Sequence, residues 1–198
     1  MGKRMCEKKS MKKTGQNSKF SKKNIFQKLF KRFYPTYRFE KVEDIPYTLL
    51  EQENIKLILF DMDNTLVNKE YRYSDALKAW TQQVKQNGIQ LYILSNSPMG
   101  KKVEKVAKAL GMEYHFNASK PSVKGFQKVV AEANQEREHI LMVGDQLFTD
   151  VWGGNRFGVK TVLVKPIGKK EWIGTKAKRP FEKIVLKEYE QSGKEDET

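Results

Sequence analysis

The sequence predicts an α/β fold with a central parallel sheet of about five strands. Two observations support this class: from Lys56 onward, short apolar runs alternate with amphipathic stretches, and glycines follow several of those stretches. When strands and helices alternate, successive strands lie parallel and the helices cover both faces of the sheet. A chain of 198 residues is long enough for one such domain with a sizeable core and extensions.

The short apolar runs are each typical of a buried strand. They are LILF (57–60), LYIL (91–94), EYHFN (113–117), ILMVG (140–144) and TVLV (161–164). The stretches between them have apolar residues at helical spacing, which predicts helices. These helices are expected over 74–87, 100–110, 122–135 and 149–157. Gly88, Gly111 and Gly158 stand where the C-terminal ends of helices are expected.

The basic character of the chain is concentrated at its beginning. Residues 1–38 hold 13 basic and one acidic side chain, a net charge of +12, whereas the other 160 residues hold 25 basic and 23 acidic side chains, a net charge of +2. Residues 1–24 are predicted to be a disordered basic tail because they contain few apolar side chains to bury. This asymmetry concerns the partners of the protein rather than its fold.

Residues 25–50 are predicted to form an amphipathic helix and a connector. Apolar side chains recur at helical spacing before Pro35, with basic residues between them. Two interpretations stay open: the aromatic stripe docks on the folded domain, or the helix lies on an anionic membrane. The candidate membrane-binding residues are Phe26, Leu29, Phe30, Lys31, Arg32 and Phe33.

Cysteine use and hydropathy exclude several classes of protein. Cys6 is the only cysteine, which excludes an internal disulfide and fits a reducing compartment. No apolar run approaches the roughly 18 residues of a membrane span, and no signal-peptide core follows the basic start. We therefore expect a cytoplasmic protein without a transmembrane helix.

Polar side chains follow the predicted strands at the edge where parallel sheets bind their ligands. Asp61 and Asp63 come directly after the first strand, two positions apart, so an extended chain points both to the same side. The other polar residues at strand exits are Asn64, Thr65, Ser95, Asn96, Lys120, Asp145 and Asp150. Carboxylates, hydroxyls and one cation are therefore expected to converge at one edge of the sheet.

In order and spacing, these segments resemble the four motifs of the haloacid dehalogenase superfamily, subclass III. DMDNT resembles the first motif, LSNS the second, the Lys120–Pro121 pair the third and GDQLFTD the fourth. The resemblance implies a Rossmann-like three-layer sandwich, with residues 51–190 as the phosphatase domain and 191–198 as a disordered tail. The intervals between the motifs are too short for a cap domain, so the site is expected to be open.

The same resemblance implies a role for each matching residue. Asp61 matches the nucleophile that forms an aspartyl-phosphate, and Asp63 matches the general acid and base. Ser95 and Lys120 match the residues that bind phosphoryl oxygens and offset negative charge. The substrate-binding candidates are Asn64, Thr65, Asn96 and Lys120. The implied cofactor is Mg²⁺, and its candidate ligands are Asp61, Asp63 through its backbone carbonyl, Asp145 and Asp150.

The segments that flank the motifs resemble a narrower branch, the phosphatidylglycerophosphate phosphatases of bacteria and mitochondria. LFKRFYPTYRFEKVEDIPYTLL precedes the first motif, and VWGGNRFGVKTVLVKPI follows the fourth, before Thr175 and Arg179. This resemblance implies a phosphorylated lipid as substrate and peripheral association with the anionic inner face of the membrane. Asn155 and Arg156, within the second segment, are interpreted as packing and capping residues.

Two alternative functions stay open. An uncapped phosphatase could act on a nucleotide, a sugar phosphate or a phosphoprotein, because the motifs indicate the reaction and only the flanks indicate the substrate. A protein of another class would bind nucleic acid through the basic tail and carry an inactive domain. This second alternative is disfavoured because every catalytic position is filled and the folded part is nearly neutral. The sequence gives no indication of the oligomeric state.

Overall fold

A parallel sheet of six strands forms the centre of the protein in the computed structural model, which describes residues 30–168 and 179–195. The strands are β1 (Tyr37–Phe39), β2 (Leu57–Phe60), β3 (Gln90–Leu94), β4 (Glu113–His115), β5 (Ile140–Gly144) and β6 (Lys160–Val164). Their order across the sheet is β1-β6-β5-β2-β3-β4, and every neighbouring pair is parallel. The predicted α/β class is confirmed, with β2 in the interior between β5 and β3.

Helices follow the strands along the chain. They are α1 (Tyr47–Gln52), α2 (Asp75–Gln86), α3 (Gly100–Leu110), α4 (Lys124–Ala133), α5 (Trp152–Phe157) and α6 (Arg179–Glu195). A π-helical turn over Leu147–Val151 leads directly into α5, and three-residue 3-10 turns lie at Lys31–Phe33, Val42–Asp44 and Arg137–His139.

Alternate residues of β2 enter two separate hydrophobic cores. Ile58 and Phe60 belong to one core, and Leu57 and Leu59 belong to the other, as the two-residue repeat of a strand requires. The helix residues in the first core include Leu77 and Trp80 of α2 and Val103 of α3, and those in the second include Phe126 of α4 and Phe157 of α5. The sheet is therefore covered on both faces, which confirms the three-layer arrangement.

The five predicted strands and four predicted helices are present, and eight of their eighteen ends differ from the prediction by one to three residues. Gly88, Gly111 and Gly158 have φ angles of 81°, 65° and 86° just after α2, α3 and α5. Glycine adopts this left-handed conformation without a steric penalty, so the predicted helix ends are correct.

Two boundaries drawn from the sequence differ from the structure. β1 pairs with the edge strand β6, so the boundary at residue 51 lies inside the folded unit. α6 extends to Glu195, so the predicted tail 191–198 begins within a helix. Both elements are held by tertiary contacts that the local pattern does not reveal: Val185 of α6 is buried, and its Glu190 pairs with Arg38 at 2.8 Å. Residues 1–24 lie outside the described ranges.

The aromatic residues Phe30 and Phe33 dock on the domain. Both are buried in a third hydrophobic core together with Leu147 and Val151. The prediction that these two phenylalanines bind a membrane is therefore wrong, because their side chains have protein neighbours instead. Lys31 and Arg32 between them are exposed, whereas Phe26 and Leu29 lie outside the described residues. Within the described ranges, no helix has both the length and the apolar character needed to cross a bilayer.

Asn155 of α5 fastens the N-terminal segment to the domain. Its Nδ2 donates hydrogen bonds to the backbone carbonyls of Arg32 and Tyr34, both at 2.9 Å. Its Oδ1 accepts a hydrogen bond of 3.2 Å from Thr161 Oγ1 in β6. The side-chain amide of Asn155 thus joins the N-terminal segment, α5 and β6. These hydrogen bonds account for the packing role predicted for Asn155.

We expect Asn155→Ala to lower the free energy of unfolding by about 1–3 kcal/mol, because two backbone carbonyls lose their partner in a partly buried place. Urea or thermal unfolding would measure this loss. The matched control is Asn87→Ala, since the Asn87 side chain makes one exposed hydrogen bond to Gln83 at the end of α2. A loss for Asn155→Ala no larger than that of the control would contradict the fastening role.

Candidate active site

The site lies at the carboxyl edge of the three central strands. Asp61 directly follows β2, Ser95 follows β3 and Asp145 follows β5. Since β5, β2 and β3 are adjacent and parallel, these residues leave the sheet side by side. All three are buried, although two of them are acidic. Buried carboxylates require partners, and the surrounding side chains provide them.

Lys120 is the central partner of these acids. Its Nζ lies 2.8 Å from Asp61 Oδ1 and 2.8 Å from Asp150 Oδ1. The side chains of Lys120 and Asp150 are each only 1% exposed, so the ammonium bridges two carboxylates away from water. Charged hydrogen bonds in such surroundings are short and strong. Lys120 therefore fixes the orientation of Asp61.

The backbone of Lys120 is held by Asn96. Asn96 Nδ2 donates to the Lys120 carbonyl at 2.9 Å, and Asn96 Oδ1 accepts from the Lys120 amide at 2.7 Å. The sequence predicts Asn96 as a substrate-binding residue, but both of its polar side-chain atoms bond to the backbone of Lys120. The role that the structure supports for Asn96 is the positioning of Lys120.

Ser95 also joins the segments after β3 and β4. Its carbonyl accepts a hydrogen bond of 2.9 Å from the amide of Ala118, two residues before Lys120. Its amide donates to the carbonyl of His115 at 3.0 Å, and its Oγ accepts from the amide of Ser97 at 3.1 Å. The buried hydroxyl retains its own hydrogen to donate to a bound group.

Asp150 is held by the turn that follows β5. Its Oδ2 accepts from the amide of Gln146 at 3.1 Å, and its Oδ1 accepts from Thr149 Oγ1 at 3.3 Å. A Cβ atom on Gly144 would overlap the carboxylate of Asp150, so the last residue of β5 must be glycine for Asp150 to occupy this place. The fourth motif therefore contains Asp145, a candidate metal ligand, and its Gly144 leaves room for the carboxylate of Asp150.

Three carboxylates are close enough to share one metal ion. Asp61, Asp145 and Asp150 each offer an oxygen within 4.8 Å of the others, and all three residues are buried. Asp61 Oδ2 is buried and has no hydrogen-bond partner among the described residues. When all three carboxylates are ionised, the group together with Lys120 has two excess negative charges. Oxygen ligands and excess negative charge fit a hard divalent cation.

Burial and mutual repulsion shift the pKa values of these acids. Burial raises the pKa of Asp61 to about 7, against the opposing effect of Lys120. Burial, with the nearby Asp61 and Asp150 carboxylates, raises the pKa of Asp145 well above its usual range. Burial lowers the pKa of Lys120, but the carboxylates of Asp150 and Asp61 outweigh this effect and raise it to about 12. Lys120 therefore remains charged at neutral pH.

Asp63 lies beside this buried group in an open cavity of about 530 Å³. It is partly exposed, and burial is the main cause of its raised pKa, while Lys120 and Lys102 act in the opposite direction. Asn64, whose φ is 64°, lines the same cavity. Between β2 and β3 the chain forms only a loop and α2, and between β3 and β4 it forms only a short segment and α3. No cap domain is inserted in these fully described intervals.

Comparison with known proteins identifies the family. Residues 73–158 match the family model for haloacid dehalogenase-like hydrolases. The probable phosphatase YqeG of Bacillus subtilis (strain 168) is 32% identical over 166 residues, which cover 83% of this chain and 96% of that protein. This chain is a haloacid dehalogenase-like hydrolase.

A second relative of this haloacid dehalogenase-like hydrolase is the chloroplastic phosphatidylglycerophosphate phosphatase 1 of Chlamydomonas reinhardtii. It is 27% identical over 162 residues, which cover 76% of this chain and 56% of that protein. Among solved structures, an uncharacterized protein from Listeria monocytogenes serotype 4b is similar with a TM-score of 0.48 and 18% identity, over 67% of this chain and 99% of that one.

The hydrolase site contains most of the residues that the sequence predicts. Asp61, Lys120, Asp145 and Asp150 form the buried group, and Thr65 Oγ1 donates a 3.4 Å hydrogen bond to Asp145 Oδ1. Thr65 thus orients a metal-ligand candidate, while its predicted contact with substrate stays a prediction. The side chain of Asp63 is not among the three clustered carboxylates, and its backbone carbonyl stays a predicted ligand. The roles of Gly144 and Gln146 were not predicted from the sequence, although both residues lie within the fourth motif.

We expect Asp145→Asn to stabilise the metal-free hydrolase, because the substitution removes one of three mutually repelling buried carboxylates. A raised folded-state pKa means that the ionised form destabilises the fold. The stabilisation should therefore be small below the unfolded-state pKa of about 3.9, grow as the pH rises from there toward the raised pKa of folded Asp145, and level off above it. A gain of about 1 kcal/mol corresponds to a rise in Tm of about 2–4 °C.

The same variant should lose the stabilisation that Mg²⁺ gives to the unsubstituted protein, since bound metal favours the folded state by mass action. Thermal unfolding with EDTA and with Mg²⁺ measures both effects. Glu70→Gln is the matched control, because Glu70 is exposed and lies outside the three clustered carboxylates. Equal stabilisation of both variants by Mg²⁺ would contradict the metal assignment.

Proposed function

We propose that this hydrolase is a Mg²⁺-dependent phosphatase that converts phosphatidylglycerophosphate to phosphatidylglycerol. The observation that supports the reaction is the arrangement around Asp61. Lys120 holds its Oδ1 at 2.8 Å, while its Oδ2 is buried beside two further carboxylates and has no hydrogen-bond partner in the part of the chain that the structure describes. An oriented carboxylate with one free oxygen suits nucleophilic attack on phosphorus. Phosphatase activity is also consistent with the family and with the named relatives.

The first step transfers the phosphoryl group to the enzyme. A carboxylate oxygen of Asp61 forms a bond to phosphorus while the bond from phosphorus to the ester oxygen breaks. Asp63 lines the cavity, and burial is the main cause of its raised pKa. Its carboxyl group gives a proton to the departing oxygen. Lys120 remains charged and offsets negative charge on the transferring group.

The second step releases inorganic phosphate. Asp63, now ionised, accepts a proton from a water molecule whose oxygen attacks phosphorus, and the bond between phosphorus and Asp61 breaks. The balance is one ester and one water converted to one alcohol and one phosphate. Mg²⁺, held by Asp61, Asp145 and Asp150, would supply the positive charge that lets the acidic nucleophile and the phosphate approach each other.

Three features support a lipid substrate. The site has no cap over it in the described residues, the flanking segments resemble the phosphatidylglycerophosphate phosphatases, and a relative at 27% identity carries that name. A lipid phosphate remains at the membrane surface, so the enzyme has to approach it there. The basic first residues, with the exposed Lys31 and Arg32, would favour peripheral association with an anionic inner leaflet, at about 1 kcal/mol for each basic side chain near the surface.

We expect Asp61→Asn to reduce kcat by at least about 10³-fold, because the amide cannot form the covalent intermediate. Asp63→Asn should reduce kcat by about 10²- to 10⁴-fold through the loss of the proton donor. Phosphate release measures both, with circular dichroism and thermal unfolding as folding controls. Asp75→Asn, an exposed substitution at the start of α2, is the matched control. Near-normal turnover by a folded Asp61→Asn variant would overturn the mechanism.

A substrate panel tests the lipid assignment. Purified protein with Mg²⁺ is given phosphatidylglycerophosphate in mixed micelles, phosphatidic acid, a nucleoside monophosphate, a sugar phosphate and a phosphopeptide, and free phosphate is measured. We expect the highest kcat/KM for phosphatidylglycerophosphate, by about tenfold or more, which corresponds to a difference of about 1.4 kcal/mol in transition-state binding. A preference of this size for a soluble ester would instead support the open alternative of a phosphatase for small metabolites or phosphoproteins.

A further inference from the structure

Exposed apolar side chains lie in the loops at the catalytic edge of the sheet. Met99, Phe116 and Ile167 are 46%, 43% and 48% exposed and come after β3, β4 and β6 respectively. Loops that follow parallel strands lie at the carboxyl edge, which is also the edge of the site. We call these three residues the apolar rim. The other large hydrophobic residues that are exposed in the described structure, Phe181 and Ile184, are on α6.

The apolar rim adjoins the mouth of the site on both sides. On one side, the backbone amide of Ile167 donates a hydrogen bond of 2.9 Å to the carbonyl of Asn64, next to Asp63. On the other side, Met99 lines the open cavity together with Asp63. The ring of Phe116 lies against Gly100, the residue after Met99, so these two rim residues are neighbours.

Basic side chains outnumber acidic ones in the segments that carry the apolar rim. The segments that follow β2, β3, β4 and β6 are 64–75, 96–102, 116–124 and 165–168, and they include the first residues of α2, α3 and α4. Apart from the buried Lys120, their exposed charged residues are Lys69, Arg72, Lys101, Lys102, Lys124 and Lys165, with Glu70 and Asp75 as the acids. Lys165 pairs with Glu40 at 2.5 Å. The exposed side chains of these four segments sum to a net charge of +4, and the exposed Glu40, Lys41 and Asp44 in the loop after β1 sum to −1.

We infer that the catalytic edge itself is the surface that docks on an anionic lipid bilayer, with Met99, Phe116 and Ile167 entering the interface. Exposed apolar groups in segments with an excess of basic side chains are the combination that binds anionic membranes. A bilayer on this face would place lipid phosphates directly at the open cavity that holds Asp63. The inference rests on the proposed lipid substrate, and it assigns the orienting contact to this edge rather than to the segment before Pro35.

The test compares the full chain with a variant carrying Met99→Gln, Phe116→Gln and Ile167→Gln. Partition onto vesicles of phosphatidylcholine and phosphatidylglycerol is measured by sedimentation at low and high salt. High salt shortens the Debye length toward about 3 Å and suppresses the attraction of the basic tail, which leaves the apolar contribution. We expect the partition coefficient of the rim variant at high salt to fall by about tenfold or more.

The second readout is the ratio of two rates, phosphate release from phosphatidylglycerophosphate in vesicles and from a soluble aryl phosphate. This ratio should fall by about tenfold or more in the rim variant. Ile184→Gln is the matched control, because Ile184 is 53% exposed but lies on α6. The control should retain both the partition coefficient and the rate ratio within about twofold, and single substitutions of Phe116 and Ile167 should give smaller losses than the triple variant.

The outcomes separate this inference from the proposed function. Vesicle binding that depends on the rim, without hydrolysis of the lipid phosphate, would reject the substrate and retain the docking surface. Hydrolysis of the lipid phosphate with equal vesicle partition and equal rate ratio for the rim variant and the control would overturn the inference. In that case the apolar rim would be available to a protein partner instead.

Discussion

The ammonium of Lys120 is the interaction on which the site depends. Asp61 and Asp150 are buried and both contact it at 2.8 Å, and Asp145 lies within the same group. Removal of one partner from a buried ion pair typically costs about 3–5 kcal/mol, because an uncompensated charge remains. The backbone bonds from Asn96, the connections made by Ser95 and the small volume of Gly144 all serve to place this ammonium and its carboxylates. The repulsion that remains favours a divalent cation.

The support for the site extends to the start of the described chain. The ring centroid of Phe33 lies 5.2 Å from that of Phe148 and 5.4 Å from that of Trp152. Phe33 therefore packs on the turn that carries Asp150. Asn155 joins the same segment to β6. The residues around Phe33 are therefore part of the domain. The aromatic side chains of Phe30 and Phe33 therefore serve packing within the domain.

The structural elements that can be predicted from the sequence are those with a local sequence pattern. The strand and helix order, the helix ends at Gly111 and Gly158, and the convergence of Asp61, Lys120 and Asp145 follow from periodicity, turn chemistry and motif order. β1 could not be predicted from the sequence, because a segment of three residues has too little periodicity. Its strand geometry depends on its pairing with β6. The role of Asn96 in positioning Lys120 could not be predicted either, because hydrogen bonds to the backbone of a residue distant in sequence leave no local pattern.

The pairing of β1 with β6 also constrains how the chain becomes folded during synthesis. Tyr37 lies opposite Val162, so an early segment must wait for more than a hundred later residues before it can join the sheet. Contacts of such long sequence separation slow folding and leave strand edges unpaired in the meantime. A nascent chain interrupted before β6 emerges from the ribosome would therefore leave the backbone of β1 without its strand partner.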